Sequence, residues 1–196
     1  MTGWSRIARR IRVPVGFVFA AFYLWRARPS WTYMAAGSVV VVIGVGLRAY
    51  ASGYLRKASE LTTTGPYAHT RNPLYLGSLI IAAGFALAAR NLWIALAMAG
   101  IFVAIYLPVM AFEEQFLRSQ FPGFDEYARR VPRLLPRLPP QRSKTGFVGD
   151  PGLSAATGPR GEFSLHLYLK HREYNAALGA AAVMAALIFK LLWWSR

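Results

Sequence analysis

Long apolar blocks alternate with short polar stretches along this chain. Residues 91–112, NLWIALAMAGIFVAIYLPVMAF, contain no charged side chain, and residues 31–50 contain one, Arg48, near their end. Because a bilayer core is crossed by about 20 helical residues, both blocks predict transmembrane helices. Residues 73–89 are slightly shorter and uncharged, so they predict a third apolar helix.

The same pattern predicts an all-α, multi-pass membrane helix bundle. We expect about five transmembrane helices, near residues 13–27, 30–50, 73–89, 91–112 and 174–194. The first is short, and both a tilted span and a re-entrant segment fit its length. Lys190 lies close enough to the end of the last helix for its ammonium to reach the interface. The whole chain, 1–196, is expected to form a single integral membrane domain.

A change of pattern follows residue 112. The stretch 113–133, EEQFLRSQFPGFDEYARRVPR, alternates charges with large apolar residues. It predicts that the preceding helix continues to about Gln120 and that a short amphipathic helix occupies 124–130 and ends before Pro132. The apolar face of this cytoplasmic segment is expected to lie on the membrane surface or to cover a pocket. Residues 134–162 are rich in Pro, Gly and Ser and predict a loop, of which 137–162 lies outside the motif core 59–136.

The formal net charge of +15 is distributed unevenly. If the N-terminus is cytoplasmic and five helices span, 18 of the 23 Lys and Arg residues fall on the cytoplasmic side. This distribution follows the positive-inside rule, and it favours contact with anionic lipid headgroups over nucleic acid. The basic N-terminus is not followed by a small-residue cleavage site, so we expect the first helix to be retained.

Some classes of site are excluded or disfavoured by composition. The absence of cysteine excludes disulfides, thiolate metal sites and cysteine nucleophiles. The three histidines, His69, His166 and His171, show no metal-ligand spacing, so we expect no metal site. The glycines in VVVVIGVGLRA lack the third glycine of a dinucleotide fingerprint and lie within an apolar block, so Gly44 and Gly46 are expected to allow close helix packing.

The segment GPYAHTRNPLYLG, residues 65–77, places unusual side chains at the start of an apolar helix. Asn72 suits a helix N-cap, and Pro73 suits the first turn, where its missing N–H is not needed. Helix capping does not explain why the segment also gathers Tyr67, His69, Arg71 and Tyr75. An aromatic belt and a positive-inside flank would account for part of this group, and a binding site would account for all of it.

An acidic pair strengthens the case for a site. The chain has only 8 acidic residues, and two of them, Glu113 and Glu114, are adjacent where the 91–112 block ends. The connection between the two preceding helices is so short that the start of one and the end of the other must be neighbours. Arg71 is therefore expected to lie close to this pair. A carboxylate that meets an arginine at a membrane boundary is a candidate functional site.

These motifs resemble the isoprenylcysteine carboxyl methyltransferase and phospholipid methyltransferase group. The resemblance rests on Gly-x-Tyr, Arg-Asn-Pro-x-Tyr-x-Gly, Glu-Glu-x-x-Leu and Val-Pro-Arg, in this order between about Leu61 and Pro136. It implies an integral membrane methyltransferase that uses S-adenosyl-L-methionine, releases S-adenosyl-L-homocysteine and has no Rossmann domain. The resemblance implies a cofactor pocket formed by Ser59, Glu60, Leu61, Thr62, Tyr67, Asn72, Pro73, Leu74, Tyr75 and Glu113.

The chemistry of the cofactor agrees with these residue types. Glu113 or Glu114 is suited to hold its ammonium, and Arg71 is suited to bind its carboxylate or an anionic acceptor with two parallel hydrogen bonds. Tyr67 and Tyr75 offer aromatic walls for the adenine and the sulfonium. Arg71, Glu114 and His69 are the candidate catalytic residues, since an amine acceptor would require a base and a carboxylate would not.

Two departures from the family pattern leave the acceptor open. The usual histidine before Pro73 is Asn72, and the arginine that meets prenylcysteine substrates shortly before the Glu pair is absent, with Val109 in that region. A prenylated carboxylate, a lipid, an isoprenoid and another small amphiphile all remain candidate acceptors. The expected partners are thus membrane lipids and a lipophilic or prenylated acceptor. The alternative is a non-catalytic multi-pass membrane protein, such as a transporter subunit or a scaffold.

Overall fold

The structure, a computed structural model, describes residues 16–56, 61–140 and 162–194. Regular secondary structure within these ranges is helical, without strands. The helices are α1 (residues 16–26), α2 (Trp31–Tyr54), α3 (Pro73–Ala89), α4 (Leu92–Ile101), α5 (Leu107–Gln120), α6 (Phe124–Arg130), α7 (Leu165–Lys170) and α8 (Tyr174–Trp194). Two short elements complete them, a 3₁₀ turn at Gly65–Ala68 and a π-helical turn at Phe102–Tyr106.

Three described helices are long and apolar enough to cross a membrane. They are α2, with 24 residues, the continuous helix Leu92–Gln120, with 29, and α8. The helix α3 is apolar but has only 17 residues, and α1 is described only from residue 16 onward. The prediction of an all-helical fold is confirmed, and three of its helices are candidate membrane spans, whereas five spans and the cytoplasmic location of the amphipathic segment stay predictions.

The π-helical turn interrupts the helix that begins at Leu92. The turn ends immediately before Leu107 and Pro108. Proline has no N–H to donate, and its ring crowds the carbonyl four residues earlier, so a wider turn relieves the clash. The irregularity of this helix therefore lies in the turn before the proline.

The described residues fall into two compact units. One contains the residues up to Val45, Ser78–Glu113 and those from Ala176 onward, and the other contains Gly46–Gly77 and Glu114–Asn175. In the first unit, Gly37 of α2 and Gly84 of α3 allow two helix backbones to meet, because a Cβ on Gly37 would lie 2.6 Å from the Gly84 carbonyl oxygen. The prediction for Gly46 is wrong, because this residue faces open space. Gly44 is buried.

A lysine of α8 closes the C-terminal end of α1 in the same unit. The Lys190 Nζ donates to the carbonyl oxygens of Leu24, Trp25 and Ala27 at 2.5, 3.0 and 2.8 Å. The last carbonyls of a helix have no partner within the helix. The negative end of the helix dipole also stabilises a cation at this position. The sequence predicts that Lys190 reaches the interface, and the structure adds these three acceptors.

The second unit is built around a small apolar cluster. Its buried members are Leu61, Phe124, Tyr127 and Val131, with Leu117, Phe121 and Ala128 packed against them. The helix α6 occupies the predicted residues 124–130, and the turn before it follows Gln120 as predicted. The helix α7 lies beyond the predicted loop. It was not predicted, because six residues are too few for a helical period to be visible, although Ser164 caps it.

Candidate functional site

The centre of the candidate site is the buried carboxylate of Glu114, which two arginines contact. Arg133 donates from Nε to Glu114 Oε1 at 3.0 Å and from Nη2 to Oε2 at 2.8 Å. Arg71 Nη1 lies 3.3 Å from the same Oε2. The side chains of Glu114 and Arg71 are 7% and 13% exposed, and that of Arg133 is 47% exposed. The predicted neighbourhood of Arg71 and Glu114 is thus present in the structure.

The start of α3 supplies a further contact to this carboxylate. The Asn72 amide nitrogen lies 3.5 Å from Glu114 Oε1 and donates to the Arg133 carbonyl oxygen at 2.9 Å. A carboxylate has about four acceptor positions. The two oxygens of Glu114 therefore have nearly all their capacity occupied by Asn72 and the two arginines.

Arg71 carries a further donor, Nε, beside the Nη1 that faces Glu114. Its Nε is buried, and no hydrogen-bond partner for it is found in the described part of the chain. Leaving a buried donor unsatisfied costs about 1–3 kcal/mol, more for a charged group. A ligand with an acceptor oxygen at this position would remove that cost.

Residues 131–138, called here the strap, run alongside the segment before α3. The Arg71 backbone N–H donates to the Pro132 carbonyl oxygen at 2.9 Å, and the Thr70 hydroxyl lies 3.0 Å from the Leu134 carbonyl oxygen. The Arg137 N–H donates to the His69 carbonyl oxygen at 2.9 Å. These bonds fix the backbone on either side of Arg133 and so explain how its guanidinium is held against Glu114.

His69 is bound to the strap in a way that defines its tautomer. Its Nδ1 lies 2.9 Å from the carbonyl oxygen of Arg137. Since a carbonyl oxygen only accepts, Nδ1 must carry the proton. In the neutral ring, Nε2 is then the basic nitrogen.

The phenol of Tyr127 joins α6 to the 3₁₀ turn. Its hydroxyl donates to the Tyr67 carbonyl oxygen at 2.7 Å. Burial raises the pKa of Tyr127 above its ordinary value. Arg71 lowers this pKa by a smaller amount, and Glu114 raises it by a still smaller amount.

The hydrogen bond to Glu114 raises the pKa of Arg133, so this guanidinium stays charged.

An open cavity of about 490 Å³ lies at this cluster. It is lined by Arg71, Glu114, Arg118, Asp125, Ala128, Arg129 and Arg133. Four guanidiniums face two carboxylates, and both carboxylates already contact arginines, Asp125 through a 2.6 Å bond with Arg118. The cavity is therefore electropositive and suits an anionic group. Ala128 is its single apolar lining side chain.

The other predicted site residues occupy varied positions. Leu61 and Tyr67 are buried, Pro73 is fully buried, and Thr62, Leu74 and Tyr75 are half-buried. The Leu74 carbonyl accepts from Arg48 Nη1 at 3.3 Å. Glu113 is exposed, unlike its neighbour Glu114. Ser59 and Glu60 lie outside the described residues, and the cofactor-binding role of this whole group stays a prediction.

Arg133 is the site residue that the sequence analysis missed. It belongs to the quoted Val-Pro-Arg motif, but nothing in the spacing indicates a contact with a glutamate 19 positions earlier. The feature that could have indicated it is its place in the motif, where a charged arginine follows an apolar residue and a proline. Among the described residues, no group of three or more His, Asp or Glu side chains is arranged to hold a metal ion.

A family model described as phospholipid methyltransferase matches residues 30–123. The nickel-cobalt-cadmium resistance protein NccN of Alcaligenes xylosoxydans xylosoxydans is 33% identical over 144 residues, which cover 70% of this chain and 68% of that protein. The cobalt-zinc-cadmium resistance protein CzcN of Cupriavidus metallidurans is 34% identical over 144 residues, which cover 70% of this chain and 67% of that protein. No solved structure matches the chain significantly.

Proposed function

Because this chain belongs to the phospholipid methyltransferase family, we propose that it is an S-adenosyl-L-methionine-dependent enzyme. In this proposal it transfers a methyl group to a lipophilic acceptor within or beside the membrane. The observation that carries the proposal is the cluster of Arg71, Glu114 and Arg133. It joins charged residues from three separate motifs around one cavity, which a protein using these residues only to anchor helix ends does not require.

The residues of the cluster fit one end of the cofactor. When bound, the cofactor would supply a methyl group on a positively charged sulfur. A nucleophile takes this methyl group, and the sulfur leaves as a neutral thioether. Arg71 is placed to bind a carboxylate, because its buried Nε has no acceptor among the described residues. Glu113 is the proposed partner of the ammonium, since it is exposed and lies at a position that matches the family motif.

The chain's own contribution to the reaction is alignment and proton handling. A one-step displacement mainly needs the acceptor held in line and water excluded. A carboxylate acceptor needs no base, and Arg71 is suited to orient it. An amine acceptor must lose a proton, and the Nε2 of His69 is the proposed recipient, because the bond from Nδ1 to Arg137 leaves its lone pair available.

A second candidate function follows from the names of the relatives. NccN and CzcN are named as metal resistance proteins. We therefore keep the alternative that this chain serves metal resistance as a non-catalytic membrane component. A resistance name describes a property of cells, so it is also compatible with methylation of a membrane molecule.

Binding of S-adenosyl-L-homocysteine to the purified full chain separates these functions. We expect saturable binding that weakens in Glu113→Ala and is kept in Arg130→Ala, because Arg130 is exposed and pairs with Glu126 on α6. Transfer of labelled methyl groups into a total lipid extract is the second measurement. Absence of both binding and transfer, with intact folding, would refute the methyltransferase and leave the non-catalytic role.

A further inference from the structure

Two large apolar side chains of the strap are directed away from the protein. Leu135 is 74% exposed and Leu138 is 84% exposed. Among the described residues they are the most exposed leucines outside the candidate membrane spans, since Leu165 and Leu169 of α7 are 61% and 52% exposed. By contrast, Val131, at the start of the same strap, is 1% exposed and packs in the apolar cluster of its unit.

The exposed leucines are held in place rather than carried on a free loop. Their neighbours Leu134 and Arg137 are bonded through their backbones to Thr70 and His69. His69 also bonds the Arg137 carbonyl through its ring. The apolar side chains are thus presented on a preorganised backbone, which lowers the entropy lost on contact with a partner.

Basic residues lie near the two leucines along the chain. Arg137 belongs to the strap and donates from Nη1 to the carbonyl oxygen of Arg130 at 2.6 Å. Arg129, on the last turn of α6, is exposed and makes no ion pair within the described ranges. Arg130 pairs with Glu126. Arginines beside protruding leucines form the pattern of an interfacial membrane contact, in which apolar side chains reach the acyl boundary and cations meet phosphates.

We propose that the strap docks on an anionic lipid surface. Leu135 and Leu138 enter the headgroup–acyl boundary, while Arg129 and Arg137 contact lipid phosphates. A bilayer suits this surface better than nucleic acid or an acidic protein does, because nucleic acid offers the leucines no apolar phase. Three helices of the same chain are able to cross a membrane, so a lipid surface is always near.

Contact of the strap with lipid would affect the candidate site. The strap that presents the leucines also carries Arg133, which holds Glu114. Lipid that fixes the strap therefore stabilises the arrangement of Arg133. The inference does not rest on methyl transfer, since it concerns the position of the strap and applies equally to a non-catalytic protein.

Site-directed spin labelling tests the contact directly. The chain has no cysteine of its own, so a nitroxide on Leu138→Cys reports one position. The matched control is Gln120→Cys, an exposed polar position at the end of α5. Both proteins are placed in nanodiscs of phosphatidylcholine with and without phosphatidylglycerol, and collisions with oxygen and with a water-soluble nickel chelate are measured.

We expect the Leu138 nitroxide to collide more with oxygen than with the nickel chelate, and the Gln120 nitroxide to show the opposite. Removing phosphatidylglycerol, or changing Arg129 and Arg137 to glutamine together, is expected to move Leu138 toward the aqueous pattern. Leu135→Cys repeats the test at a second position should Leu138→Cys fold poorly. Equal water accessibility at 138 and 120, shielding of 138 from both reagents by another part of the chain, or no effect of lipid charge would each overturn the proposal.

Discussion

Arg133 donates two parallel hydrogen bonds, of 3.0 and 2.8 Å, to Glu114, although the arginine is half exposed and the glutamate is buried. The fork geometry of a guanidinium matches a carboxylate, and such charge-assisted bonds are roughly twice as strong as neutral ones. The pair therefore does more than neutralise charge. It fixes the direction in which Glu114 faces Arg71.

Glu114→Gln should destabilise the protein markedly. Among the residues that the structure describes, Glu114 is the only anion in contact with Arg71, and the substitution removes its charge. The Arg71 side chain is 13% exposed. Leaving one partner of a buried pair uncompensated costs about 3 kcal/mol. Thermal unfolding in detergent measures the loss. Asp125→Asn is the control, since its pair with Arg118 is more than half exposed and should contribute about 0–1 kcal/mol. Equal effects of the two substitutions would contradict the buried role of Glu114.

Arg71→Lys should be nearly as damaging to methyl transfer as Arg71→Ala. Lysine keeps the charge but loses the planar fork and the buried Nε donor. Loss of a charged hydrogen bond of about 1.5–3 kcal/mol corresponds to roughly a ten- to a hundredfold fall in kcat/KM. Should Arg71 serve the acceptor, the affinity for S-adenosyl-L-homocysteine will hold, and should it serve the cofactor, both will fall.

The control for Arg71 is Arg118→Lys, which changes a more exposed arginine of the same cavity. Activity of Arg71→Lys equal to that of the unchanged protein would mean that Arg71 is only a basic flank of the membrane helix, where lysine is a good substitute.

Glu113→Ala should weaken cofactor binding while the helices stay inserted. The side chain is exposed at a motif-matching position, so its removal leaves no cavity. A lost charged hydrogen bond predicts roughly a ten- to a hundredfold lower affinity for S-adenosyl-L-homocysteine. Isothermal titration measures it, and circular dichroism verifies the helices. An unchanged affinity would exclude Glu113 from the cofactor site.

Tyr127→Phe should lower stability at neutral pH and matter less at alkaline pH. The phenol donates a 2.7 Å bond to the Tyr67 carbonyl, a contribution of about 1 kcal/mol. Burial raises the pKa of Tyr127 in the folded state. The folded protein thus retains the proton that the unfolded chain loses above about pH 10, and the contribution of the phenol declines as the pH rises further. Melting curves at pH 8 and pH 11 should show a smaller difference between the two proteins at pH 11.

A cysteine at Arg90 should be labelled from the non-cytoplasmic side alone. Arg90 lies in the turn between α3 and α4 with a φ of 49°, and the distribution of Lys and Arg predicts the N-terminus and residues 113–172 on the opposite side. Labelling of intact and opened cells with a membrane-impermeant maleimide decides the matter. Reaction from the cytoplasmic side only would reverse the predicted orientation.

Much of the fold follows from patterns that operate within a single helix. The start of α3 at Pro73 and the bounds of α6 were predictable because proline and the apolar period act locally. The helix α2 ends four residues beyond the predicted residue 50, since Ala51 and Ser52 are buried by packing that the sequence does not display. Gly46 shows the same limit, because the pattern does not reveal which glycine faces a neighbouring helix.

The candidate site was predictable only where chain connectivity forces residues together. The short turn at Arg90 brings Arg71 near Glu114, which the structure bears out. Which of Glu113 and Glu114 faces Arg71 depends on the direction of each side chain around the helix axis. The π-helical turn shifts these directions, so the sequence period does not predict them. Arg133 reaches Glu114 through the pairing of the strap with residues 69–72, and such pairing leaves no periodic signal.

The bond between Lys190 and the end of α1 has a consequence for biosynthesis. The carbonyls of Leu24, Trp25 and Ala27 are translated well before their donor, which lies 163 to 166 positions later in the chain. Until α8 leaves the ribosome, the end of α1 must satisfy these groups with water or with the insertion machinery. The end of α1 is therefore completed only after α8 is made, and a chain truncated before Lys190 would present the quality-control system with an uncapped helix end.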